Sequence, residues 1–177
     1  MKNLFRYIRN DLHRALFNWR FFVVTILCIA VLLLNGIQTH PMITSVMDIF
    51  QISFMDMPPR VLFVCCTYLY AISFCEDCEH KYIMLLLRRG DVNSYIWARL
   101  ISIFLSCEMV AIISASVYAN VLHISHPWSS QNSLEFMEKA SNYFYFIKNG
   151  WYGVYITLFA IQFGAWIGSF AVISAGL

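Results

Sequence analysis

Apolar side chains in this sequence gather into four long runs separated by polar stretches, each run close to the length of one membrane crossing. The first, residues 21–37, contains no charge and is long enough for a helix to cross a hydrocarbon core of roughly 30 Å. The second, residues 61–75, is short and bounded by Arg60 and Glu76. The pair Pro58-Pro59 suits the first turn of a helix, so this span is predicted over 58–75. The third, residues 98–122, carries one charge, Glu108, and the fourth, residues 151–177, carries none. A different pattern precedes the first run. Leu4, Ile8, Leu12, Ala15, Leu16 and Trp19 recur at three- and four-residue steps, and at about 100° per residue they fall within an arc of roughly 120°. Lys2, Arg6, Arg9, His13 and Arg20 fall on the opposite side. Residues 1–20 therefore read as an amphipathic helix that lies in the headgroup layer, its basic face near anionic lipid.

The predicted fold is all-α: a polytopic membrane helix bundle of about four transmembrane helices with an N-terminal interfacial helix, a single domain over residues 1–177. Composition agrees. Sixty per cent of the 177 residues are apolar and 12% are charged, against about 45–50% and about 25% in soluble domains. A soluble fold of this size could not hide so much apolar surface, with mean hydropathy +0.63; lipid accepts it. The net charge of +2 is too small to point to nucleic acid. The placement of basic residues says more. Five lie before the first span (Lys2, Arg6, Arg9, Arg14, Arg20), four around residues 76–97 (Lys81, Arg88, Arg89, Arg99), and three in the other links (Arg60, Lys139, Lys148). This asymmetry places the N-terminus and the 76–97 link in the cytoplasm and the loops 38–57 and 123–150 outside. Tyr143, Tyr145, Trp151, Tyr152 and Tyr155 suggest an interfacial aromatic belt. A secretory signal peptide is disfavoured, because the basic region is too long and no Ala-x-Ala-like site follows Leu34.

None of the six cysteines (Cys28, Cys65, Cys66, Cys75, Cys78, Cys107) falls in an outward loop, which argues against a disulfide framework. Cys75-x-x-Cys78 has the spacing of half a zinc site; His80 adds one ligand and no fourth is evident, so reduced thiols are expected. His123 and His126 alone are weak signals for metal. The run Ser133 to Glu138 has the spacing of a short capped helix. The chain has no P-loop, H-E-x-x-H or G-x-S-x-G run, so no catalytic role and no cofactor is assigned to it.

The most specific pattern lies in the cytoplasmic link. An acidic patch with Glu76 and Glu79 precedes a short apolar segment ending Leu85, Leu86, Leu87, and Arg88, Arg89 and Gly90 close it. Gly90 fits a helix C-cap, and Asp91 or Asn93 would cap the next helix. Apolar residues flanked by charge on a cytoplasmic surface suggest a protein partner or the lipid surface.

Here the sequence resembles the permease subunits of ABC-2 type transporters. The likeness covers roughly residues 1–122: the amphipathic helix feeding the first span, the Phe74, Glu76, Glu79 start of the link, and its continuation through Leu86, Leu87, Arg88, Tyr95 and Arg99. The resemblance implies that residues 76–91 form a coupling helix docked on a separate cytoplasmic P-loop ATPase, with Glu76, Glu79, Leu85, Leu86, Leu87, Arg88 and Arg89 at the interface. It implies ATP on that partner and none in this chain, a second permease copy or paralogue, export, and a bacterial inner membrane with the N-terminus cytoplasmic. That family often has Lys where Arg99 stands and Gly-Thr where Lys81-Tyr82 stand. It usually has six spans per unit, so the expectation is a truncated chain or a partner that supplies the rest.

Within the spans, Glu108 is a costly group and a functional candidate. Its alternatives are ion coupling and a protonated or hydrogen-bonded carboxyl between helices, near Gln162. A non-transporting accessory or immunity protein is a further alternative. Ala160, Gly164 and Gly168 form a small-x-x-x-small stripe in the fourth run, and Ala111, Ala115 and Ala119 another in the third, predicting close helix packing.

Overall fold

The computed structural model describes residues 2–39, 45–55, 92–130, 138 and 143–176. Its elements are α1 (Lys2–Leu16), α2 (Trp19–Thr39), α3 (Val46–Met55), α4 (Val92–Ser125), α5 (Phe144–Lys148) and α6 (Tyr152–Gly176), with no strand among the described residues. Three of them, α2, α4 and α6, are long and apolar enough to cross a membrane. The chain is a helical, multi-pass membrane protein. The predicted span 58–75, the link residues 76–91 and the run Ser133 to Met137 lie outside the described residues.

α4 is one helix of 34 residues, about 51 Å long at 1.5 Å per residue, and so exceeds a hydrocarbon core. Residues 92–97, expected in the link, are its first turns, and Asn93 lies inside it. The stretch holds neither Gly nor Pro, and the helix stops just before Pro127, where the preceding residue is pushed out of the helical region.

Packing fixes the direction of each helix. A methyl group built on Gly164 of α6 would meet Glu108 and Ala111 of α4, and one on Gly168 would meet Phe104, so α4 and α6 are antiparallel. Phe21 of α2 shares a core with Ile103 and Ala171, and a methyl on Gly36 would meet Tyr118, so α2 runs with α4. The end bearing α1 and the start of α4 is termed proximal. The proximal core is Phe21, Val24, Cys28, Ile103, Cys107, Val110, Ile167 and Ala171. The distal core brings together Leu32, Phe50, Phe54, Ala115, Tyr118, Tyr155 and Ala160 among others.

α3 departs most from the sequence reading. Residues 38–57 were expected as an outward loop, yet 46–55 form a buried helix running parallel to α6: Phe50 packs on Phe159 (5.4 Å between ring centroids) and Phe54 on Phe163 (5.1 Å). The local cause is a reciprocal cap. Ser45 Oγ donates to Asp48 Oδ2 (2.7 Å) and accepts from the Asp48 N–H (3.4 Å), while the N–H groups of Val46 and Met47 donate to the carbonyls of Pro127 and Trp128 (2.9 and 3.2 Å). The donors that a helix start leaves open are thereby satisfied, and an apolar segment can sink between α4 and α6.

α1 also differs. It packs on α4, with Tyr7 edge-on to Tyr95 at 6.5 Å. Ile8, Leu12, Ala15 and Leu16 are half-buried, so much of the apolar stripe meets protein rather than lipid. Trp19 is not part of that stripe: it starts α2, beyond a turn where Asn18 Oδ1 accepts from the Arg20 N–H (3.2 Å), and is 68% exposed. At the distal end Gly150, at φ 75°, closes α5: its N–H donates to the Ile147 carbonyl (3.0 Å) and that of Trp151 to Phe146 (2.8 Å), a helix stop that favours glycine. Of the proposed aromatic belt, Tyr145 and Trp151 are exposed, but Tyr155 is fully buried in the core, because α3 covers it.

Candidate functional site

Glu108 stands at the midpoint of α4, where α6 crosses it. Gly164 has no side chain at this point, and the carboxyl of Glu108 occupies the resulting notch. A methyl on Gly164 would be 2.5 Å from Glu108 Oε2 and 3.1 Å from both Glu108 Cα and Ala111 Cβ. One turn further, a methyl on Gly168 would be 2.8 Å from the Phe104 ring. Ala160, Ala115 and Ala119 are fully buried. The small residues of the two helices thus line the contact, and their size sets its closeness. Glu108 Oε2 is buried and has no hydrogen-bond partner among the described residues.

Gln162 is not that partner. It lies on an exposed side of α6, accepts a long hydrogen bond from Tyr143 Oη (3.4 Å), and lines an open groove of about 240 Å³ with Phe159, Phe163 and Trp166. The two intramembrane polar residues singled out by sequence therefore lie in different settings: one in a helix crossing, the other on a groove wall.

The polar contacts that organise the bundle are ones the sequence reading did not single out. Gln51 Nε2 donates to Tyr155 Oη (2.8 Å), and the hydroxyls of Ser53 and Tyr118 bond at 2.7 Å. Both pairs are buried and join α3 to α6 and to α4. The Ser45-x-x-Asp48 spacing was the signal that a helix starts there. At the distal surface Trp128 stacks between His123 (4.2 Å) and Tyr152 (5.3 Å), and His123 Nδ1 lies 3.2 Å from the His126 carbonyl oxygen. That histidine pair builds a local turn, and no group of side chains able to hold a metal ion occurs among the described residues. Cys28 and Cys107 are buried in the proximal core. Cys65, Cys66, Cys75, Cys78 and His80 lie outside the described residues, as do Glu76, Glu79, Leu85, Leu86, Leu87, Arg88 and Arg89.

The chain matches no protein-family model, no curated protein and no solved structure. Its chemistry must therefore be read from its own geometry: a carboxyl held at membrane depth between two closely packed helices, and a capped half-length helix bolted to the same pair.

Proposed function

We propose that this chain is the membrane-spanning permease subunit of an ATP-binding-cassette exporter in a bacterial inner membrane, driven by a separate cytoplasmic P-loop ATPase that docks on residues 76–91. The observation that carries this reading is the seating of α1 on the first turns of α4. An amphipathic N-terminal helix turns at Phe17 and Asn18 into the first crossing and rests, through Tyr7 and Tyr95, on the helix that emerges directly from the proposed docking link. α4 lacks Gly and Pro along its 34 residues, two of the commonest causes of a helix kink. A push at its start moves a stiff rod whose other contacts are α2, α3 and α6. Such a rod carries motion from the ATPase side to the distal clasp around Trp128, between this subunit and a second permease copy or paralogue.

The test is purification from native membranes in mild detergent, followed by mass spectrometry. A P-loop ATPase at near-equal stoichiometry that cross-links to residues 76–91 supports the reading. Its absence from a folded, intact preparation overturns it.

One observation favours a second reading, a small ion-coupled transporter. A carboxyl at membrane depth whose Oε2 has no described partner suits reversible proton or cation binding. Ion-driven flux in vesicles without ATP, abolished by Glu108→Gln, distinguishes it.

A further inference from the structure

The packing of α1 changes which of its faces is free to meet the bilayer. Its half-buried positions are Tyr7, Ile8, Asp11, Leu12, Ala15 and Leu16, so the apolar stripe and the only acidic residue of the helix are on the packed side. The free side carries Phe5, Arg6, Arg9, His13 and Phe17, all exposed, within an arc of about 120° at 100° per residue. Phe5 and Phe17 are each 72% exposed, and Trp19, at the start of the first crossing, is 68% exposed. Phe17 stacks on His13 at 4.5 Å, which holds that ring on the arginine side. Aromatic rings beside the start of a membrane crossing suit the boundary between headgroups and acyl chains.

We propose that this face binds the anionic phospholipid headgroups of the leaflet at the proximal end. Arg6 and Arg9 take the phosphates, since a guanidinium offers several donors to one phosphate, and Phe5 and Phe17 enter the acyl boundary on either side. Two features favour lipid over an acidic protein. Trp19 continues the same chain directly into a membrane-crossing helix, which fixes α1 at the depth where headgroups lie. Phe5 and Phe17 lie at the two edges of the arginine arc, so a helix at headgroup depth can set both rings beside the phosphates that its arginines hold. The occupant is the one the sequence pattern implied, anionic lipid on the basic face; what the packing changes is the apolar contact, which falls to Phe5 and Phe17 because the leucine stripe meets protein, and anionic lipid then bears on the helix that braces the start of α4. The inference stands apart from the transporter reading, because it concerns lipid binding alone.

The experiment compares the full-length protein with Arg6→Gln/Arg9→Gln. Each is purified in neutral detergent and offered phosphatidylglycerol or phosphatidylcholine, and retained lipid is counted by native mass spectrometry. Wild type is expected to prefer phosphatidylglycerol, with the preference shrinking in high salt and falling roughly fivefold for each arginine neutralised. The charge-conserving Arg6→Lys/Arg9→Lys keeps most of it, which guards against a Gln variant that merely unfolds. Equal retention of both lipids by wild type, or an unchanged preference in the folded Gln variant, overturns the proposal. So does binding of polyglutamate in place of phosphatidylglycerol, which assigns the face to an acidic protein.

Discussion

Gly164 and Glu108 share one notch at the crossing of α4 and α6: the carboxyl oxygen Oε2 lies 2.5 Å from the place a methyl group on Gly164 would take. The main helix contact of the bundle thus depends on an absent side chain on one helix and a polar one on the other. Gly164→Ala is expected to destabilise the protein by about 1–3 kcal/mol, the usual range for overpacking. Glu108→Ala should relieve part of that cost, since the clash is with its side chain. Denaturant titration of the two single variants and the double variant in bicelles checks this. Strict additivity would mean that the two residues do not meet.

Tyr118 bonds Ser53 at 2.7 Å with both residues fully buried. Tyr118→Phe removes the bond and leaves the Ser53 hydroxyl unsatisfied. A loss of about 0.6 kcal/mol, up to about 1.7, matches hydrogen bonds measured between membrane helices. Ser53→Ala should cost a similar amount, and the double variant little more than either. The same titration, read as a double-mutant cycle, decides.

The cap at Ser45 holds α3 at its distal end. Ser45→Ala should cost about 1 kcal/mol and speed amide hydrogen exchange first at the start of α3, with the centre of α4 unaffected. Exchange that accelerates uniformly across the bundle would show that α3 is not a locally anchored unit.

Coupling to an ATPase makes a sharper functional demand. Leu86→Asp with Arg88→Glu should uncouple ATP hydrolysis from transport while membrane insertion stays intact. Wild-type coupling in that double variant removes the docking role from the link, and loss of flux on Glu108→Gln with no ATPase involved moves the activity to the carboxyl.

Much of this architecture is legible in the sequence because lipid imposes a one-dimensional constraint. A crossing helix needs a long uncharged run, and the runs that became α2, α4 and α6 are visible by length and composition alone. The small-residue stripes are equally local. They mark where helices approach, and Ala111, Gly164 and Gly168 lie at the α4–α6 contact.

The sequence by itself determined that the chain is helical, apolar and built to cross a membrane, because hydropathy and span length depend only on neighbours along the chain. The tertiary structure decided what each face meets. It turned Ile8, Leu12 and Leu16 toward protein, sank residues 46–55 into the core, buried Tyr155 under Gln51 (2.8 Å), and set Gln162 on a groove wall rather than beside Glu108. An apolar stripe is satisfied equally by lipid and by another helix, and a segment as short as α3 has the same pattern in a loop as in a core. Periodicity specifies that a face is apolar, and only the arrival of residues distant in sequence, Pro127 and Trp128 at Val46 and Met47 or Tyr95 at Tyr7, specifies its partner.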